Sequence, residues 1–167
     1  VWEHTQVVPA ITEMQQAIGA LSPWEFAVSG VGRTPLQAIL VDYVGLENFG
    51  VHLFEFQTEI ERLYAAMLPA FQRGVEIACE GPCTYIMCLE NFTAETLGPE
   101  RYARYLLPVY ERCFPAIEDA GKVVGVHYDG QTRVIAGLFR EAPIHCIESL
   151  TPPPEGDQTM SEARAVW

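Results

Sequence analysis

Lys122-Val123-Val124-Gly125-Val126-His127-Tyr128-Asp129-Gly130 is the stretch on which the fold turns. A short apolar run rich in valine reads as a strand, and a histidine and an aspartate, two residues apart, stand where it stops. Gly121 closes the helical stretch that precedes it, which opens at Gly98-Pro99-Glu100. Thr132 to Arg140 reads as a short helix on the far side, so the run sits inside a helix–strand–helix passage.

The same alternation extends in both directions. Upstream, Thr84-Tyr85-Ile86-Met87-Cys88-Leu89 is a second strand candidate that runs into Glu90-Asn91-Phe92-Thr93. A long helical region precedes it, with Phe56, Ile60, Leu63, Tyr64, Met67, Leu68, Phe71 and Val75 on one apolar stripe and an end near Glu80-Gly81-Pro82. Phe26 to Gly32 is a further strand, and Thr5 to Leu21 carries the three-and-four spacing of a helix. Downstream, Ile144-His145-Cys146-Ile147-Glu148 is the fourth strand, and Thr159-Met160-Ser161-Glu162 has the spacing of a capping box. Pro108 and Pro115 should each kink the helix they interrupt.

Strands that alternate with helices, with no hairpin turn signals, predict parallel pairing. The expected fold is therefore α/β, of the parallel (β/α)8 TIM-barrel type. A complete barrel takes about 250 residues, so an incomplete one is expected, with about four β/α units in a single domain over residues 1–167. Both ends read as truncated: the chain opens without methionine and closes inside a helix about two turns long.

Composition removes several function classes. Twenty-two acidic residues against ten basic ones leave a formal charge of −12, and no run of lysine or arginine offers a local patch. Such a chain repels phosphate backbones and anionic lipid, so neither nucleic acid nor membrane is an expected partner. No apolar stretch reaches the roughly 20 residues of a bilayer span, and the N-terminus lacks the pattern of a signal peptide. Five cysteines, an odd number, favour reduced thiols and a cytoplasmic location.

Polar groups gather just past three strand ends: Glu90-Asn91, His127 with Asp129, and Glu148-Ser149. In a parallel α/β barrel the chemistry belongs to that face. His127 and Asp129, two apart on an extended chain, point to one side and suit a metal or proton transfer; the plain alternative is an Asp-Gly turn beside a packed ring. Glu90 in a barrel mouth suits a general acid, against an ordinary role near the cap of the next helix. Glu148 mirrors it one strand later. Gly30-x-Gly32 followed by Arg33 could set backbone donors and a guanidinium against an anion, or simply make a tight turn. The spacing of Cys79, Cys83 and Cys88 argues against a shared metal, and His4, His52 and His145 are isolated.

From about Phe26 onward the chain resembles the uroporphyrinogen decarboxylase superfamily. The segments that carry the resemblance are Leu97-Gly98-Pro99-Glu100-Arg101-Tyr102, Leu107-Pro108-Val109-Tyr110, Ala120 to Gly130, and Glu148-Ser149-Leu150-Thr151-Pro152-Pro153-Pro154 with Gly156-Asp157. It implies a barrel enzyme whose His127 faces the central cavity. The leading expectation is decarboxylation of a carboxylated, tetrapyrrole-like small molecule without a cofactor. His127, Asp129, Glu90 and Glu148 are then the catalytic groups, and Arg33, Asn91 and Ser149 hold substrate. The family's arginine-bearing N-terminal segment has no match here.

The same superfamily contains corrinoid methyltransferases, which carry a histidine-x-cysteine zinc motif at this place. This chain has Asp129 where the cysteine would stand, so a methyltransferase reading asks His127 and Asp129 to hold zinc or another divalent metal beside a corrinoid partner. A third reading is a non-catalytic module whose unpaired sheet edges associate, as a homodimer or with a missing half-barrel.

Overall fold

A computed structural model describes residues 1–140 and 142–167. Its centre is a parallel sheet of four strands in chain order: β1 (Val28–Gly32), β2 (Tyr85–Phe92), β3 (Val123–Tyr128) and β4 (Cys146–Glu148). Every neighbouring pair is parallel, as the absence of hairpin signals requires.

The crossovers are helical. Between β1 and β2 run α2 (Pro35–Ala38), α3 (Leu46–Glu55) and the long α4 (Gln57–Glu80). The α4 stripe buries Ile60, Met67, Phe71, Val75 and Ala78. Phe56, placed on that stripe by its spacing, sits instead at the break between α3 and α4 and stays half exposed. Lys122, the sole lysine, donates from Nζ to the carbonyls of Ala78 and Gly81 at 2.9 and 2.5 Å, closing the carboxyl end of α4.

Between β2 and β3 the chain forms α5 (Ala94–Arg101), a π-helical turn over Tyr102–Leu106, α6 (Leu107–Cys113) and α7 (Pro115–Asp119). Gly98 has φ 75°, so the regular helix restarts at Pro99, as the Gly-Pro-Glu signal indicates. Pro108 and Pro115 both lie beside a break, because neither can donate to the turn before it. After β3 come a 3-10 turn and α8 (Ala136–Phe139), and α9 (Met160–Val166) closes the chain. Thr159 and Glu162 form the reciprocal capping box read from their spacing. The Thr159 amide, with Arg133 beside it, holds the Glu162 carboxyl down at about 2. The N-terminal segment carries α1 (Ile11–Gly19), which buries none of its residues.

The expected (β/α)8-type barrel is not what forms. The sheet is open, with β1 and β4 as its edges, because four strands in sequential order do not bring the last back to the first. What holds is the α/β class with parallel pairing. Helices cover one face, where Ile86, Cys88, Phe92, Val124, Val126 and Tyr128 enter the core with the helix residues Tyr102, Tyr110 and Phe114. The other face carries Val28, Leu89 and Val123, each 43% exposed. Among the described residues, no helix is long and apolar enough to cross a membrane.

Candidate functional site

Parallel pairing sets the site. β3 and β4 are in register with His127 opposite Glu148, so both side chains leave the sheet on the same face, the uncovered one. His127 Nδ1 lies 2.9 Å from Glu148 Oε2, and its Nε2 lies 3.5 Å from Asp129 Oδ2. The ring is thus held between two carboxylates, the near one at hydrogen-bond distance and the far one just beyond it. With its proton on Nδ1, His127 donates to Glu148 and leaves Nε2 as the nitrogen that exchanges a proton.

The backbone around this group is fixed from outside. The Asp129 amide donates to the Phe92 carbonyl at 3.1 Å, which ties the end of β3 to the end of β2. Gly130 has φ 59°, and a Cβ there would meet the Thr93 methyl at 3.3 Å, so the Tyr-Asp-Gly turn needs its glycine. Asp157 accepts from the amides of Thr132 and Arg133 at 2.9 and 3.1 Å, and Arg133 reaches Glu162 at 3.0 Å. The final stretch of the chain therefore braces the loop that carries Asp129.

Two further residues belong to this face, and both escaped the sequence reading. The Tyr85 ring lies across Gly125, where a Cβ would overlap the phenol. Its hydroxyl interacts with Cys146, and burial above all, with that contact, keeps the phenol protonated far above the usual tyrosine range. A glycine inside an otherwise β-branched strand was the available signal, since it marks close approach by another group.

Glu90 does not join them. It alternates with Ile86 and Cys88 and so lies on the helix-covered face, fully buried. Its carboxylate accepts from the Tyr110 hydroxyl at 2.7 Å and from the Thr34 amide and hydroxyl at 3.1 and 3.0 Å. Behind Tyr110, the hydroxyls of Tyr128 and Tyr102 continue the chain at 3.0 and 3.1 Å. Loss of solvent raises the Glu90 carboxyl above the ordinary range, partly offset by the bonds from Tyr110 and Thr34.

A group whose folded pKa is raised gives stability that is complete below the ordinary carboxylate range and fades as pH climbs toward its folded value. Wild-type stability relative to Glu90→Gln is therefore expected to fall as pH is raised from about 4 to 7, read by urea unfolding at a series of pH values. A difference that stays flat would mean that the three donors keep the group ionised.

The remaining sequence candidates are dispersed. Asn91 and Ser149 have φ 50° and 65°, left-handed backbone that is uncommon outside glycine. They follow Glu90 and Glu148 directly, and such strain gathers at functional edges. Arg33 lies past β1 with its Nη1 on Asp42 at 3.0 Å, lining a cavity beside α4. The five cysteines are free thiols.

Among the described residues no group of three or more His, Cys, Asp or Glu is arranged to hold a metal ion. Both nitrogens of His127 already face carboxylates. The chemistry open to the arrangement is proton transfer at an open strand-end face. No family model, curated protein or solved structure matches the chain.

Proposed function

We propose that the chain carries the acid–base centre of a lyase resembling the uroporphyrinogen decarboxylases, with His127 as the proton-exchanging group. The observation that carries the reading is the His127 ring fixed between Glu148 and Asp129 at the carboxyl ends of β3 and β4. Its substrate half rests on the sequence similarity of the segments around Leu97–Tyr110, Ala120–Gly130 and Glu148–Asp157.

In this reading His127 gives a proton to the electron-rich ring carbon that bears a carboxymethyl group. The bond to the carboxylate carbon then breaks, carbon dioxide leaves, and the electron pair neutralises the ring cation. A second proton reaches the exocyclic carbon as the first is returned to His127, so one carboxylate is replaced by hydrogen. Glu148 holds the ring orientation, as a carboxylate partner does for a catalytic histidine. Five free thiols agree with a reducing, cytoplasmic setting.

The test is anaerobic incubation with uroporphyrinogen, followed by separation of the products by their number of carboxyl groups. Stepwise loss of carboxylates is expected, with Glu148→Gln lowering kcat by about 10–100-fold because the ring loses its charged partner. No release of carbon dioxide from uroporphyrinogen or porphobilinogen would retire the reading. The uncovered sheet face and the free edges of β1 and β4 favour one rival, a module that acts by association. Concentration-dependent self-association together with absent turnover would select it.

A further inference from the structure

On the α4 side of the sheet, opposite His127 and Glu148, the N-terminal segment, β1 and α4 enclose a cavity of about 430 Å³. That is within the size range of small-molecule sites. Its walls are apolar, with Met14, Met67 and Phe71 among them, and Gly74 of α4 faces it with open space where a Cβ would stand. One cationic side chain lines it. Arg33 spends Nη1 on Asp42 at 3.0 Å, while its Nε is buried without a partner, although buried donors are nearly always satisfied.

We infer that this cavity is a binding site for a monocarboxylic acid with an apolar body, whose carboxylate completes the hydrogen bonding of Arg33. A small turn of the guanidinium presents its Nε edge to a carboxylate, the planar arrangement that arginine favours. The apolar walls take the body of the acid, and no other basic residue lines the space. Asp42, beside the guanidinium, disfavours a second anionic group, so a polycarboxylate is a poor fit. The ligand is chemically unlike the substrate of the His127 centre, and the inference stands independently of it.

Isothermal titration of the full chain with decanoate, decanol and decylammonium tests this. Decanoate is expected to bind at least tenfold more tightly than either analogue. Arg33→Met should abolish that preference, and Arg33→Lys, which keeps the charge but lacks the Nε donor, should retain only part of it. Asp42→Asn should tighten decanoate binding several-fold, a change that a purely structural ion pair would not produce. Gly74→Phe should block all three ligands while the melting temperature holds or rises, since it fills open space and replaces a helical glycine. Decanol binding as tightly as decanoate, a preference that survives Arg33→Met, or binding that survives Gly74→Phe would each overturn the inference, as would no binding of any probe.

Discussion

Replacing His127 with glutamine is expected to lower turnover of a carboxymethyl pyrrole by about 10²–10⁴-fold, the range that follows loss of a positioned general acid. Glutamine keeps a donor for Glu148 but carries no exchangeable imidazole proton, so the orientation survives and the chemistry does not. The loss should fall on kcat, with KM little changed, because the ring acts on the reacting carbon rather than on binding. Folding should be affected by about 1 kcal/mol at most, since the ring is only partly buried and its partners are exposed. A variant that retains more than a tenth of wild-type kcat would remove His127 from the reaction.

The largest expected effect on stability lies at Gly156→Ala. In the loop between β4 and α9, a Cβ on Gly156 would overlap the Thr151 carbonyl and come within 2.9 Å of the Gly130 carbonyl. Both obstacles are backbone, so no side chain can swing aside, and the cost should reach about 3 kcal/mol, the upper end for overpacking. For a domain of this size that lowers the melting temperature by roughly 6–12 °C. Gly130 follows Asp129, so the same change should disturb the His127 centre from a position that touches no substrate. Gly137→Ala, at an exposed position of α8 where nothing lies near the Cβ position, is the matched control. It should be neutral or stabilise by up to about 1 kcal/mol. Equal melting temperatures for the two variants would show that the loop is slack.

The strands were legible because Val123 to Val126 and Tyr85 to Leu89 are unbroken apolar runs bounded by polar residues. That property also hid the placement of Glu90. When both faces of a strand are apolar, alternation assigns Glu90 to the side of Ile86 and Cys88 but does not say which side the helices cover. His127, by the same rule, belongs with Val123 and Gly125, and only the packed helices α4 and α6 reveal that these are opposite environments.

The barrel type itself was not legible, for a related reason. Whether a sheet returns to its first strand depends on strand number and accumulated twist, neither of which is a local pattern. Capping signals fared better at Thr159 because hydrogen bonds three residues apart need no tertiary partner. The α1 stripe, by contrast, is covered only in part: Ile11, Met14 and Ile18 are half-buried on its inner side, and none of its residues is fully buried.

Because every strand pairs only with its predecessor and successor along the chain, each hydrogen-bonded ladder closes just one strand–helix–strand excursion. Assembly can then start at β2 and β3, the two strands that share the aromatic core, and grow outward one unit at a time. β4 contributes only three residues, so the His127–Glu148 pair rests on the shortest strand of the sheet. Local opening of that short ladder would part the pair while the rest of the sheet stayed folded.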